Sequence, residues 1–254
     1  MDDSYAVDAV FYDLIHDDAE DDVGLWLSFA GRTSLPVLEV GAGSGRISVA
    51  LATAGHTVTA LDPSPSMLEL ARQRAASAAT RLEFVESTLP AAQLTPDRYG
   101  IVLFPADVFL YAADADEQAE LLQTAANLVH FSGLVILDLP GPALSLDPAS
   151  NGELLLAWSG QTADGHDLEV WHVHEDDLAA QSRVLRVRYE RTGPGGVLHR
   201  ETTVHELRYV YPGECQYLLE RAGLQVTDIF GDYELGPLTN ESARMIVCAR
   251  RTAG

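Results

Sequence analysis

Between Val37 and Arg46 the chain reads Val-Leu-Glu-Val-Gly-Ala-Gly-Ser-Gly-Arg, with Glu39 two residues before the first of three alternating glycines. Gly41, Gly43 and Gly45 let the backbone turn tightly and let a ligand reach main-chain N–H groups. A dinucleotide loop would read Gly-x-Gly-x-x-Gly, but the sixth position here is Arg46. The carboxylate of Glu39 would repel a diphosphate and attract a cation. Asp62 follows one βαβ step later, where an acid hydrogen-bonds ribose hydroxyls. Acids for a ribose and for a positive group, without a basic clamp for phosphates, point to a nucleoside carrying an amino acid and a sulfonium: S-adenosylmethionine.

The elements that must hold these residues alternate. Pro36–Val40 is a short apolar strand, Arg46–Ala54 a helix stopped by Gly55, and Thr57–Leu61 a strand. Ser64–Ala78 is a helix with Ser64 as N-cap and Pro65 in its first position. Leu82–Val85 and Ile101–Phe104 are strands. Asp114–His130 is a helix closed by Ser132-Gly133, and Leu134–Leu139 is a strand. Near-continuous apolar strands alternating with helices predict a doubly wound, mostly parallel α/β sheet of seven strands, covered on both faces. Two helices precede it. In the first, Val10, Phe11, Leu14 and Ile15 form one apolar stripe among Asp13, Asp17, Asp18, Glu20, Asp21 and Asp22; the second spans Asp21–Ala30 and ends at Gly31.

After Pro140 the pattern changes. Leu154–Gly160, Leu168–His174, Arg183–Arg191 and Val197–Val210 are β segments separated by Asp-Gly and Gly-Pro-Gly-Gly turns. They predict an antiparallel insertion over residues 141–211, because parallel strands would need crossover helices. Pro212–Ala222 then forms a helix ended by Gly223, and Leu224–Phe230 and Ala243–Arg250 a closing hairpin. The chain thus divides into a core of residues 1–140 and 212–254 with a helical lid at its start, and an insertion serving substrate or oligomer contacts.

Composition narrows the function. The 254 residues hold 16 Lys+Arg against 38 Asp+Glu, a formal net charge of −22, and all the cations are arginine. The absence of lysine excludes Schiff-base chemistry and a P-loop lysine. So acidic a chain is no nucleic-acid binder. Cys215 and Cys248 match no metal spacing, and no metal is expected. Met1-Asp2-Asp3-Ser4 lacks the basic and apolar regions of a signal peptide, and no apolar run approaches ~20 residues, so a cytoplasmic chain without a membrane span is expected.

The segment Leu38–Gly45, with Asp62-Pro63-Ser64 and Met67-Leu68, resembles the class I S-adenosylmethionine-dependent methyltransferases. The resemblance runs through Pro36–Pro140 and Pro212–Arg250, more than half of the chain. The insertion after the fifth strand resembles a bacterial subgroup that includes aminosugar N-methyltransferases. The resemblance implies methyl transfer from S-adenosylmethionine to nitrogen or oxygen of a small-molecule acceptor. It implies that Glu39 and the backbone of Gly41, Ala42, Gly43 and Gly45 hold the methionine moiety, that Asp62 and Pro63 lie at the ribose, that Ser64 and Met67 flank ribose and adenine, and that Ser87, Thr88 and Phe104 also belong to the cofactor site. Two positions depart from the family. Ser87-Thr88 stands where Gly-Asp is usual, which leaves a hydroxyl of Thr88 for the adenine amino group, and Tyr99-Gly100 replaces an aromatic-acid pair.

The acceptor is expected above the end of the fourth strand, Phe104-Pro105-Ala106-Asp107. Asp107 stands where relatives carry a small polar residue, and its carboxylate offers an anchor for an amine or an acceptor for its proton; by the resemblance, Tyr111 is an aromatic of the acceptor site and Tyr12 covers sulfonium and acceptor, giving Asp107 and Tyr12 as catalytic candidates. Trp26, on the second lid helix, is a further acceptor candidate. His166, His172, His174, His199 and His205 fall in the insertion. One of them could act as a general base, and the sequence does not choose among them. An exposed β edge there would pair two copies as a homodimer. The competing readings are a nicotinamide-dependent oxidoreductase, disfavoured by Arg46 and Glu39, and a protein that binds S-adenosylmethionine for another purpose.

Overall fold

The structure is a computed structural model; it describes residues 3–16, 22–142, 151–193 and 195–252. The acidic positions Asp17, Asp18, Glu20 and Asp21 lie outside the described residues, as does Pro194 of the Gly-Pro-Gly-Gly turn. Helices α1 (Ala6–His16) and α2 (Val23–Ala30) lead into β1 (Val37–Val40), α3 (Arg46–Thr53), β2 (Val58–Asp62), α4 (Pro65–Ser77), β3 (Glu83–Glu86) and β4 (Tyr99–Phe104). A 3-10 turn (Val108–Tyr111), α5 (Ala115–Leu128) and β5 (Val129–Pro140) follow. Strands β6 (Leu155–Gln161), β7 (Asp167–Asp177), β8 (Ser182–Thr192) and β9 (Leu198–Arg208) precede α6 (Pro212–Arg221), β10 (Leu224–Phe230) and β11 (Arg244–Arg251).

Seven strands form one sheet in the order β10-β11-β5-β4-β1-β2-β3. Strands β1 to β5 are mutually parallel, paired β5-β4-β1-β2-β3, whereas β11 runs antiparallel to both β5 and β10. Successive side chains of a strand point to opposite faces. Val102 and Phe104 therefore join α5 and α6 through Leu122 and Leu218, and Ile101 and Leu103 join α2 and α3 through Trp26 and Leu51. Chain order reverses between β1 and β4, so a crevice opens at the carboxyl ends of these strands.

The second sheet is antiparallel throughout, in the order β6-β7-β8-β9. It packs on α1: Phe11 sits among Leu168, Val170, Val187 and Tyr189, stacked on the Tyr189 ring at 5.3 Å. The apolar face of α1 differs from the expected stripe. Val10 and Leu14 are 66 % and 42 % exposed, and the covered side carries Val7, Asp8, Phe11 and Ile15. The helix is turned because hydroxyls of the second sheet receive the carboxylate of Asp8, a partnership that local periodicity cannot show.

One boundary also moves. The helix expected to run to His130 ends at Leu128, and Ser132-Gly133 lie within β5, where the register against β4 shifts between the Tyr99–Val129 and Ile101–Leu134 pairs. Gly133 is needed for close approach, not as a helix stop: a Cβ there would lie 2.7 Å from the Gly100 carbonyl oxygen of β4. Cys215 and Cys248 are buried free thiols.

Candidate active site

The glycine loop leaves β1 with positive φ at all three glycines, +69°, +55° and +79° at Gly41, Gly43 and Gly45. Their surroundings separate their roles. A Cβ on Gly41 would strike Val108 at 2.1 Å and one on Gly45 would strike Ala71 at 2.8 Å, so packing demands both glycines. A Cβ on Gly43 would meet only the Tyr12 hydroxyl, at 3.9 Å, so this glycine faces open space. Asp62 ends β2 beside it. Its Oδ2 accepts from the Gly43 N–H and its Oδ1 from the Ser64 N–H, both at 2.8 Å. Burial raises the pKa of Asp62, and these two donors oppose the rise. Ser64 caps α4 by accepting from the Met67 N–H, which fixes Asp62-Pro63-Ser64 as a rigid corner.

Two cavities flank this corner. The nearer is lined by Tyr5, Tyr12, Gly41, Gly43, Asp62, Pro63, Met67 and Tyr111 among others. An apolar extension continues past Leu89, Phe104, Val108 and Leu121 to Thr88. An open glycine, a carboxylate at ribose distance in sequence and an apolar slot ending in a hydroxyl suit a nucleoside without phosphates. The farther cavity, about 390 Å³, opens between α1, the turn after β4 and strands β7–β9. Tyr5, Tyr12, Ala106 and Tyr111 line both this cavity and the nearer one, so they form the wall between them.

Residues 37–133 match the family model described as "Methyltransferase domain". Over that segment the chain carries a methyltransferase domain. This methyltransferase is 29 % identical to the cypemycin N-terminal methyltransferase of Streptomyces sp., over 98 % of this chain and 97 % of that protein. Among solved structures it superimposes on the CcbJ methyltransferase of Streptomyces caelestis with a TM-score of 0.82 at 22 % identity, covering 100 % of both chains. It also superimposes on CalS10 of Micromonospora echinaspora, an amino pentose methyltransferase solved with S-adenosylmethionine bound, with a TM-score of 0.73 at 15 % identity, over 96 % of this chain and 97 % of that one. The methyltransferase's cofactor is therefore S-adenosylmethionine, on a class I Rossmann-like fold.

Several expected site residues of the methyltransferase take other places. Glu39 lines none of these cavities; it is buried beneath the loop, where its carboxylate accepts from the Ser48 hydroxyl of α3. Burial pushes its pKa up to about 8, against the pull of Ser48 and Arg46. Ala42, Gly45 and Ser64 shape the loop and corner from behind. Ser87 turns its hydroxyl to the Thr88 carbonyl and away from the cavities. Trp26 is no acceptor residue: it is 1 % exposed in the α2–α3 core, and its indole N–H donates to Asp22 at 3.1 Å. That bond and the Trp26 packing hold Asp22 against Arg46, whose Nη2 donates to it at 3.0 Å.

Asp107 does line the farther cavity, but as half of an ion pair. Arg244 donates to its two oxygens at 2.8 and 3.3 Å, and to the fully buried Asp138 at 2.8 Å. Both Asp107 oxygens are thus taken up by Arg244, which gives this side chain a structural partner within the cavity wall. Ala106 and Asp107 both adopt positive φ, +48° and +65°. Asp138 holds this unfavourable pair by accepting from the Ala106 N–H at 2.9 Å, with its backbone carbonyl accepting from Asp107 at 3.2 Å.

Of the five insertion histidines, His172 and His205 line the cavity. Sequence reading missed Tyr5, Asp8, Arg46, Tyr189 and Arg244 as cavity residues. Asp8 did carry a signal, an acid spaced one turn from Phe11 on a helix with an apolar side.

Proposed function

We propose that the enzyme transfers a methyl group to an amine nitrogen of a small-molecule acceptor, with oxygen as the alternative target. The observation that supports this is the farther cavity. Its ≈ 390 Å³ lies in the range of small-ligand sites, and it meets the cofactor side across a wall of tyrosines. The carboxylates of Asp8, Asp22 and Asp107 outnumber the guanidiniums of Arg46 and Arg244 around it, and electron-rich tyrosine rings also favour a cation. The named activity of the cypemycin relative fits as well, since a peptide amino terminus is itself an aliphatic amine.

In this reading the N–H groups of Gly41–Gly45 border the methionine part, and Arg46, which reaches the cavity edge from the start of α3, offers a charge to the amino-acid carboxylate. Asp62 takes ribose hydroxyls beside Pro63 and Met67, and Thr88 lies at the adenine end beyond Phe104. S-adenosylmethionine supplies an electrophilic methyl on a sulfonium. Tyr12 and Tyr111 exclude water and aim the acceptor across the shared wall, which is the main help an in-line displacement needs. Burial raises the Tyr12 pKa to about 12, so its hydroxyl stays neutral as a hydrogen-bonding wall. His172, Tyr189 and His205 of the insertion face the acceptor while the core holds the cofactor, and a cytoplasmic setting fits a chain in which no described helix is long and apolar enough to cross a membrane.

The test is calorimetry with S-adenosylhomocysteine, followed by mass-spectrometric detection of methyl transfer to a panel of primary amines, a dipeptide amide and matched alcohols. Asp62→Ala should weaken cofactor binding by about 1–3 kcal/mol. Binding without methylation of any amine, or methylation of the alcohols alone, would defeat the N-transfer reading.

A further inference from the structure

We propose that Asp8 is the carboxylate that binds the acceptor's amino group and makes the enzyme select amines over alcohols, an inference that rests on the N-transfer reading above. Asp8 lies on α1, is 4 % exposed, and lines the acceptor cavity. Its Oδ1 is crowded with donors. The Tyr189 hydroxyl donates at 2.6 Å and the Thr203 hydroxyl at 2.9 Å, and His205 Nε2 lies 3.5 Å away. Its Oδ2 is buried and has no hydrogen-bond partner among the described residues.

A buried carboxylate oxygen left without a donor is costly, and folded proteins rarely keep one without a reason. If Asp8 only tied α1 to the second sheet, the bonds at Oδ1 would suffice, and a neutral side chain would do the same work without an orphaned oxygen. The other acids around the cavity are already neutralised: Asp22 by Arg46 and Asp107 by Arg244. Among the described residues Asp8 has no arginine partner. Burial pushes its pKa up, but the donors His205, Tyr189 and Thr203 outweigh this and hold it below the ordinary carboxylate value, so it is charged at neutral pH. The site therefore combines a fixed negative charge, a vacant acceptor lone pair and the rings of Tyr5, Tyr111 and Tyr189. An ammonium supplies both the donor and the charge that this geometry lacks, and it gives up one proton to water before its nitrogen lone pair can take the methyl. A hydroxyl supplies the donor only.

The selectivity can be read without knowing the natural acceptor. Enzyme saturated with S-adenosylhomocysteine is titrated with benzylammonium and with benzyl alcohol, its neutral isostere, by calorimetry or ligand-observed NMR. Wild type should prefer the ammonium by about tenfold or more. In Asp8→Asn the two probes should bind within about twofold of each other, with the affinity for S-adenosylhomocysteine unchanged. Asp8→Ser, which keeps a small polar group for Tyr189 and Thr203, serves if the asparagine variant does not fold. Tyr189→Phe removes a donor from Oδ1 alone and should retain the preference. Equal binding of both probes to wild type overturns the proposal, and so does a preference that survives in Asp8→Asn or Asp8→Ser. The two readings fail separately. Products methylated only on oxygen, with the ammonium preference intact, remove the N-transfer reading. N-methyl products from wild type, with a preference unaltered in the Asp8 variants, remove this site.

Discussion

Replacing Glu39 by glutamine probes the charge beneath the glycine loop. The side chain keeps its shape and its bond from Ser48, and loses only its ability to ionise. Glu39 has an ordinary value of 4.5 and is raised by burial to about 8 in the fold. Between those values the folded chain holds a proton that the unfolded chain has shed. Unfolding then releases a proton, and stability must fall as pH rises from 4.5 towards 8, levelling off above it. Each unit is worth ~1.4 kcal/mol, so at pH 7 the native glutamate costs up to about 3 kcal/mol that the glutamine variant does not. Urea denaturation of both proteins at pH 5 and pH 7.5 is the assay. The variant should be the more stable at pH 7.5, with a gap under about 1 kcal/mol at pH 5. Its dissociation constant for S-adenosylmethionine should rise, because a cationic cofactor favours ionised Glu39. A gap of equal size at both pH values, or a variant less stable at pH 7.5, would show that Glu39 is not held protonated in the free enzyme.

Other positions give sharper outcomes. Gly43→Val should fold but fail to bind S-adenosylhomocysteine in calorimetry, since the new side chain enters open cleft space at a φ of +55°; an unchanged dissociation constant would move the cofactor elsewhere. Arg244→Met leaves the buried Asp138 and the Asp107 turn without their cation, and should cost about 3–5 kcal/mol in urea denaturation; an unshifted midpoint would show that the pair is not structural. Trp26→Phe should lower stability by about 1–2 kcal/mol through the lost bond to Asp22 while leaving KM for the acceptor unchanged, and a large rise in that KM would return Trp26 to the acceptor site.

Much of the core could be read from sequence because its signals are local. The Glu39–Gly45 loop, the Ser64-Pro65 cap and the alternation of strands and helices each lie within a few residues, and the parallel sheet follows from them. The antiparallel strands of residues 155–208 were legible from their turns. The errors share a cause. The α1 face was misassigned because the partners of Asp8 are Tyr189 and Thr203, far along the chain. Asp107 reads as a free acid until Arg244 is folded against it. Trp26 and Tyr12 both look like lid aromatics, and only packing sends one into the core and the other to the cleft. Glu39 shows a different limit: its identity is visible in the motif, but whether it touches a ligand or the loop's underside depends on Ser48 and on depth of burial.

The docking of α1 also sets the order in which the molecule can be completed during synthesis. Tyr189 and Thr203 follow Asp8 by 181 and 195 residues. At roughly 5–20 residues per second, α1 is made about 10–40 s before its second-sheet partners exist. Throughout that interval Phe11 lacks the surface that will cover it. Strands β1–β4 and the glycine loop can assemble from contacts of much shorter range, which form faster. A growing chain can therefore shape its nucleoside cradle well before the chamber that receives the acceptor has walls.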